Sequence, residues 1–221
     1  MGIPQDTILI ISGVSCVGKT TIAYEILNNY SEFRRVSELD IIRTAVRTTF
    51  NYIIDDKLVD KDAIITKYNA IFESITLSDF ETTKQQSKQL LPYVKEIILR
   101  QQRRHIPTII EGAGIVPSIY FPNNRPLEWL SPHVFFVNLY LSDEQDHITR
   151  REARSNVRNY NEDGEKTKIL VLNARKEKQK ILHEETLKLQ KKYKNVVSID
   201  VSNHTAHYIA NHIMWLLFNY F

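Results

Sequence analysis

The 221-residue chain has one cysteine, Cys16, which excludes an intrachain disulfide and any zinc site built from several cysteines. It has no apolar run approaching the roughly 18 residues that a membrane-spanning helix needs. Met1 to Ile11 lacks the basic segment, long apolar stretch and small-residue cleavage site of a secretory signal. The expectation is a soluble, cytoplasmic protein with no membrane partner. A strong excess of either charge is also missing: 29 Lys and Arg against 26 Asp and Glu give +3. Such a balance argues against a general polyanion-binding surface and leaves room only for a local basic patch. The seven histidines form no H-E-x-x-H pattern, and His204 and His207 read as helix-start residues rather than metal ligands. No internal repeat or low-complexity segment is found.

What is present is near the globular average, 43% hydrophobic and 25% charged, at a length that suits one domain, residues 1–221. Thr7–Ser12 is a nearly all-apolar, β-branched run, the signature of a strand buried on both faces. Arg34–Glu38 (the weakest), Pro107–Glu111, His133–Leu141 and Asn195–Asp200 read as four further strands. Helical patterns fall between them at Asp62–Ser78, Glu81–His105 and Asn173–Tyr193. Strands alternating with helices predict an α/β domain with a mostly parallel sheet. Residues 44–104 hold no strand and read as a helical insertion. Gly112–Pro132, with Pro117, Pro122, Pro126 and Pro132, reads as an ordered functional loop. The apolar last helix, about Thr205 to Phe221, is read as docked on the sheet, with a homodimer surface as the sharper alternative.

Gly13-Val14-Ser15-Cys16-Val17-Gly18-Lys19-Thr20 fits G-x-x-x-x-G-K-[ST] between a strand and a helix, the context that this motif requires. Glycines let the backbone wrap closely, so that successive N–H groups face phosphate oxygens, and the helix N-terminus adds its positive dipole end. Lys19 is placed to reach the β and γ phosphates of ATP and the Thr20 hydroxyl to ligate Mg²⁺, while Thr21 joins the loop residues that bind the nucleotide. Cys16 reads as a small loop-filling residue; a thiol activated by the helix N-terminus is the less favoured reading.

Motors and switches with this loop place an aspartate after a strand, whereas here the third strand ends in Glu111-Gly112. A carboxylate there faces the crevice where α/β sheets bind ligands. Glu111 would hold Mg²⁺ through water or hydrogen-bond an acceptor; an N-cap or a surface charge is the plainer alternative. Asp40, Arg43 and Arg47 share a helix face by their spacing. An acid with two arginines suits an acceptor site, the carboxylate taking a hydroxyl proton and the guanidiniums gripping an anion. The plainer alternative is a solvated ion pair. Arg150, Arg154 and Arg158 recur every four residues in a segment, 147–165, that reads as a lid closing over the triphosphate. Asn203 follows the last strand, at the edge where an adenine contact is expected from layout.

Gly13–Thr21, Leu39-Asp40-Ile41-Ile42-Arg43 with Arg47, and Ile109-Ile110-Glu111-Gly112 followed by Val116-Pro117 resemble the 2-phosphoglycerate kinase family of small P-loop kinases. The resemblance covers most of residues 7–202, on short matches outside the phosphate loop. It implies a P-loop NTPase fold of the nucleoside-monophosphate-kinase type: a parallel five-stranded sheet of order 2-3-1-4-5, flanked by helices, with a helical insertion and an arginine-bearing lid. It also implies Mg-ATP on Lys19 and Thr20, Asp40 as base, and Arg43 and Arg47 on substrate. Where the family pattern carries a histidine, this chain has Gly114, which puts the acceptor in question.

The expected function is ATP-dependent phosphoryl transfer to a hydroxyl of a small anionic metabolite, with 2-phosphoglycerate the named candidate. Lys19, Asp40, Arg150 and Arg154 are the expected catalytic residues, with Glu111 and Gly112 beside the acceptor. A polynucleotide 5′-hydroxyl or nucleotide-sugar kinase is the second reading, disfavoured by the charge balance. An ATP-binding regulatory protein is the third.

Overall fold

A computed structural model describes residues 2–55, 59–74, 79–158 and 164–221, with side chains described outside 154–169. Five strands, β1 (Ile8–Ser12), β2 (Arg35–Glu38), β3 (Thr108–Glu111), β4 (Val134–Tyr140) and β5 (Val196–Asp200), form one parallel sheet of order β2-β3-β1-β4-β5. This is the order 2-3-1-4-5 that the family resemblance implies.

The central strand shows why the sequence folds this way. Ile8 and Ile10 point to one side of the sheet, into a core with Ile110, Phe136 and the later helices; Leu9 and Ile11 point to the other, with Ile109, Phe135 and Val137. All four side chains are fully buried, each contributing about 1.5–3 kcal/mol. A strand covered on both faces has no polar side to alternate with, hence the unbroken apolar run.

On one face lie α1 (Lys19–Asn29) and α8 (Ala206–Tyr220), which bury Ile22, Ala23 and Ile26 against Ile209, Ile213 and Leu217. The last helix is therefore docked as expected, although Trp215 on its outer side stays 59% exposed. On the other face lie α4 (Phe80–Arg103), α5 (Pro117–Tyr120) and α7 (Gly164–Gln190). The insertion comprises α2 (Leu39–Ile54), α3 (Lys61–Phe72) and α4. The first of these starts before the expected boundary at residue 44, so Asp40 and Arg43 belong to the insertion's own first helix.

Three expectations change. The helix expected over Asn173–Tyr193 begins already at Gly164 and ends at Gln190. The helix expected over Asp62–Ser78 ends at Phe72, because Glu73 turns extended; 75–78 lie outside the described residues. Gly112–Pro132 is more than a loop: Ile115, Val116, Ile119, Tyr120 and Phe121 are buried against Phe136 and the α7 side of the sheet. Its apolar residues supply core there, while its prolines place α5 and the short 3-10 turn Pro122–Asn124. Among the described residues, no helix is long and apolar enough to cross a membrane.

Candidate active site

The phosphate loop leaves β1 at Gly13 and enters α1 at Lys19. Gly13 has φ +137°, and a β-carbon there would stand 2.4 Å from the Leu139 carbonyl oxygen. Only glycine can take that backbone shape and let the loop lie so close on β4. Lys19 is buried, and its Nζ donates to the Val14 carbonyl at 2.9 Å, arching the side chain over the loop.

Next to it the Thr20 hydroxyl donates to Glu111 Oε1 at 2.9 Å. Gly112 lets a third element join this pair. A β-carbon on it would sit 2.6 Å from Leu39 Cβ, so the bare backbone lets the first turn of α2 pack onto the end of β3. Asp40 and Glu38 thereby come to the same mouth as Glu111, Lys19 and Thr20. Burial pushes the Glu111 carboxyl above the usual range. Lys19 and the Thr20 hydrogen bond pull it down, while Asp40 and Glu38 push it up again. Glu38 also accepts from the Tyr24 hydroxyl at 3.0 Å. Asp40 itself is exposed at the helix start.

The two arginines of α2 are half-buried. Arg43 turns toward α3: its Nη1 donates to the carbonyls of Ile71 and Glu73, both at 3.4 Å, at the end of that helix. Its Nε is buried without a hydrogen-bond partner. Gln86 and Gln89 of α4 hold the same turn, through the Ala70 carbonyl and the Ile71 N–H. Arg43 thus ties the first turns of α2 to the end of α3.

Arg150 sits against the loop in a fastened position. On α6 (Glu144–Arg158) it forms a two-point bond with Asp146, both contacts at 2.9 Å. It also donates to the Val17 carbonyl at 3.4 Å and the Val201 carbonyl at 2.8 Å. Asn203 joins this knot, its N–H donating to Asp146 Oδ2 at 3.1 Å and its amide to Asp143 Oδ2 at 3.2 Å. Arg150 and Asn203 are therefore brought together beside the loop, where Arg150 bolts α6 and the segment after β5 to it instead of standing as a free arm. Arg154 and Arg158 lie on α6 with side chains outside the described ones, and 159–163 of the expected lid are also outside.

Sequence reading missed the contribution of α7. Arg175 Nη1 approaches Cys16 Sγ to 3.8 Å at the tip of the phosphate loop. Lys178, one turn further on, is buried, and its amine is pushed down to about 8 by burial and by Arg175, with Asp79 opposing. His147, in the first turn of α6, is buried against Ser15. In sequence Arg175 and Lys178 stand in a helix with several other lysines, and no spacing singles them out.

Magnesium takes hard oxygen ligands and shares them with nucleotide phosphates. The Thr20 hydroxyl and Glu111 carboxylate, paired at the mouth of a loop of backbone N–H groups, are donors of that kind. Among the described residues no cluster of three or more His, Cys, Asp or Glu side chains is arranged around a metal position.

No protein-family model matches the chain. It is similar to curated proteins named 2-phosphoglycerate kinase. It is 30% identical over 160 residues to that of Methanocaldococcus jannaschii, which covers 69% of this chain and 47% of the relative. It is 28% identical over 166 residues to that of Methanococcus maripaludis, covering 69% and 49%. The chain spans about half the length of the curated relatives it matches. Among solved structures, shikimate kinase from Acinetobacter baumannii in complex with shikimate aligns over 98% of this chain and 94% of its own, at 13% identity and a TM-score of 0.48. The strand order and the phosphate loop of this chain carry the fold assignment by themselves: it has a P-loop fold of the nucleoside-monophosphate-kinase type, with a sequence similar to the 2-phosphoglycerate kinases.

Proposed function

We propose that the protein transfers the γ-phosphoryl group of ATP to a hydroxyl of a small anionic metabolite, with 2-phosphoglycerate the first acceptor to test. The observation that carries this reading is the meeting of Lys19, Thr20, Glu111 and the acidic start of α2 at the carboxyl ends of β1 and β3. A nucleotide-binding loop whose mouth holds carboxylates from two other elements can both bind a triphosphate and orient a hydroxyl in line with it.

In this reading the loop N–H groups and Lys19 hold the phosphates, and Thr20, steadied by Glu111, supplies an oxygen to Mg²⁺. The metal, when bound, offsets charge on the phosphate oxygens. Asp40 accepts the proton of the acceptor hydroxyl as its oxygen bonds to the γ-phosphorus. The bond from that phosphorus to the bridging oxygen breaks, and ADP leaves with the electron pair. Arg47 and Arg43 grip the acceptor's anionic group, which for Arg43 requires giving up its weak bonds to Ile71 and Glu73. Arg175, beside Cys16 at the tip of the loop, is the cation that would oppose charge on the transferring group. The similarity to 2-phosphoglycerate kinases supports this acceptor, and Gly114 in place of the pattern's histidine is the reason to test others.

Phosphorus NMR of the protein with Mg-ATP, alone and with 2-phosphoglycerate, tests the reading. The expected result is ADP together with new phosphomonoester resonances. ADP without a new ester would remove 2-phosphoglycerate as acceptor and direct the search to other anionic alcohols, then to nucleic-acid 5′ ends and nucleotide sugars.

A further inference from the structure

We propose that the amino end of the edge strand β2 carries an anion site of its own, in which Arg35, Arg100 and Arg104 hold the phosphodiester backbone of a nucleic-acid strand. It lies at the opposite end of the sheet from the phosphate loop. Arg35 opens β2 beside Thr108 at the start of β3, whereas the loop leaves the far end of β1. The proposal therefore stands whether or not the loop binds ATP.

The geometry centres on Gln101 of α4, which is 3% exposed. Two guanidinium groups face its amide, and since these only donate, the amide presents its oxygen to them. That oxygen accepts from Arg35 Nη1 and from Arg100 Nη1, each at 3.3 Å. One buried oxygen thus gathers a cation from a strand and a cation from a helix closer than like charges settle unaided. Arg104, at the C-cap, lies one turn beyond Arg100 on the same flank of α4. Arg34 and Arg103 are their neighbours in the chain. All five arginines are exposed. Among the described residues none of the five forms an ion pair with a carboxylate, and Glu96, one turn before Arg100, is no exception.

The plainer role for such residues is to offset the partial negative charge at a helix C-terminus. Here the last carbonyls of α4 are already taken: those of Arg100, Gln101 and Gln102 accept from the N–H groups of Arg104, Ile106 and His105. Nor does that role account for Arg35, which belongs to the sheet. Cations gathered without a counter-charge favour an anion between them, and planar guanidinium forks match phosphate oxygens two at a time. The shape of the site decides which anion. Its cations are exposed and spread over a strand end and a helix end, so a small ion would meet one or two of them and stay mostly in water. A chain of phosphates meets several at once and releases counterions at each contact. The total charge of +3 does not oppose this, because the excess that matters is local.

The test is fluorescence anisotropy of a labelled single-stranded DNA of mixed sequence, titrated with the protein at several salt concentrations. The wild type should bind with a Kd of about 10⁻⁴–10⁻⁶ M and weaken steeply with salt. Arg35→Gln combined with Arg100→Gln should lose about tenfold at low salt and flatten the slope of log K against log salt by about 1–2. Lys191→Gln combined with Lys192→Gln removes the same charge from exposed positions just before β5, at the sheet's other edge. That control should change the affinity less than about twofold. Gln101→Glu keeps the shape but gives both arginines a carboxylate, and should weaken binding several-fold. Circular dichroism melts check folding; if Gln101→Glu does not fold, the arginine pair, at exposed positions, decides alone. Absence of binding by the wild type, an equal loss in the lysine control, or unchanged binding by a folded Gln101→Glu variant would overturn the proposal. So would displacement of the DNA by polyglutamate as effective as that by unlabelled DNA, which would mark the surface as one for acidic protein.

Discussion

The phosphate loop and the proposed acceptor side of the mouth are built in opposite ways. The loop is one contiguous stretch, seated on β4 through Gly13, arched over by Lys19 and bolted from outside by Arg150. The acceptor side is assembled from separate pieces: Glu111 from β3, Asp40 and Arg43 from α2, and behind them the turn at the end of α3, held by Arg43, Gln86 and Gln89. The loop's geometry is secured chiefly by main chain, the acceptor side's by side chains reaching across elements. The difference predicts that substitutions on the acceptor side will separate binding of ATP from its use.

Asp40→Asn should show this separation most strongly, lowering kcat by about 10²–10⁴ while ATP affinity stays within about twofold. Steady-state rates beside calorimetric titration check it, and an unchanged kcat would remove Asp40 as the base. Gly112→Ala comes next. Its β-carbon would meet Leu39 Cβ at 2.6 Å, so α2 must shift at a cost of about 1–3 kcal/mol. Denaturant titration should report that loss, and kcat should fall about tenfold or more as Asp40 leaves its place.

Arg43→Met should act more gently, raising the acceptor KM several-fold with little change in that for ATP. A larger effect on ATP would mean that the two sides are not separable.

The smallest effect is one of stability. The folded Glu111 carboxyl titrates above its unfolded value because burial penalises the charge, so the folded state binds its proton more tightly. Stability from this group therefore falls as pH rises through the window above the ordinary carboxylate range. Glu111→Gln keeps an acceptor for Thr20 and removes that charge. It should raise the melting temperature at pH 8 by an amount equivalent to about 1 kcal/mol, with the gain vanishing near pH 4, while kcat drops. A lower melting temperature at pH 8 would show that the Lys19 attraction outweighs burial.

How much of this was legible varied with how local each feature is. The phosphate loop was readable because eight adjacent residues must satisfy one geometry. β1 was readable because burial on both faces leaves an unbroken apolar run. The arginine face of α6 was also readable as a period, yet Arg150 proved to be held by Asp146 one turn before it, a pairing that spacing permits but does not require. The apolar content of Gly112–Pro132 was hidden by its prolines, which advertise turns more loudly than Ile115, Val116 and Tyr120 advertise core. Arg175, Lys178 and His147 carry no local signal, since their burial depends on which elements pack over them.

The phosphate loop, the parallel α/β architecture and the residue types proposed to serve an acceptor can be read without a structure, because each follows from short-range spacing and from which side chains leave water. Tertiary structure alone decided that Glu111 meets Thr20, that Arg43 faces α3, and that α6 and α7 bring His147 and Arg175 to the loop. Those contacts join residues up to 159 positions apart, and only the closing of the sheet and the packing of helices over it bring such groups within hydrogen-bond reach.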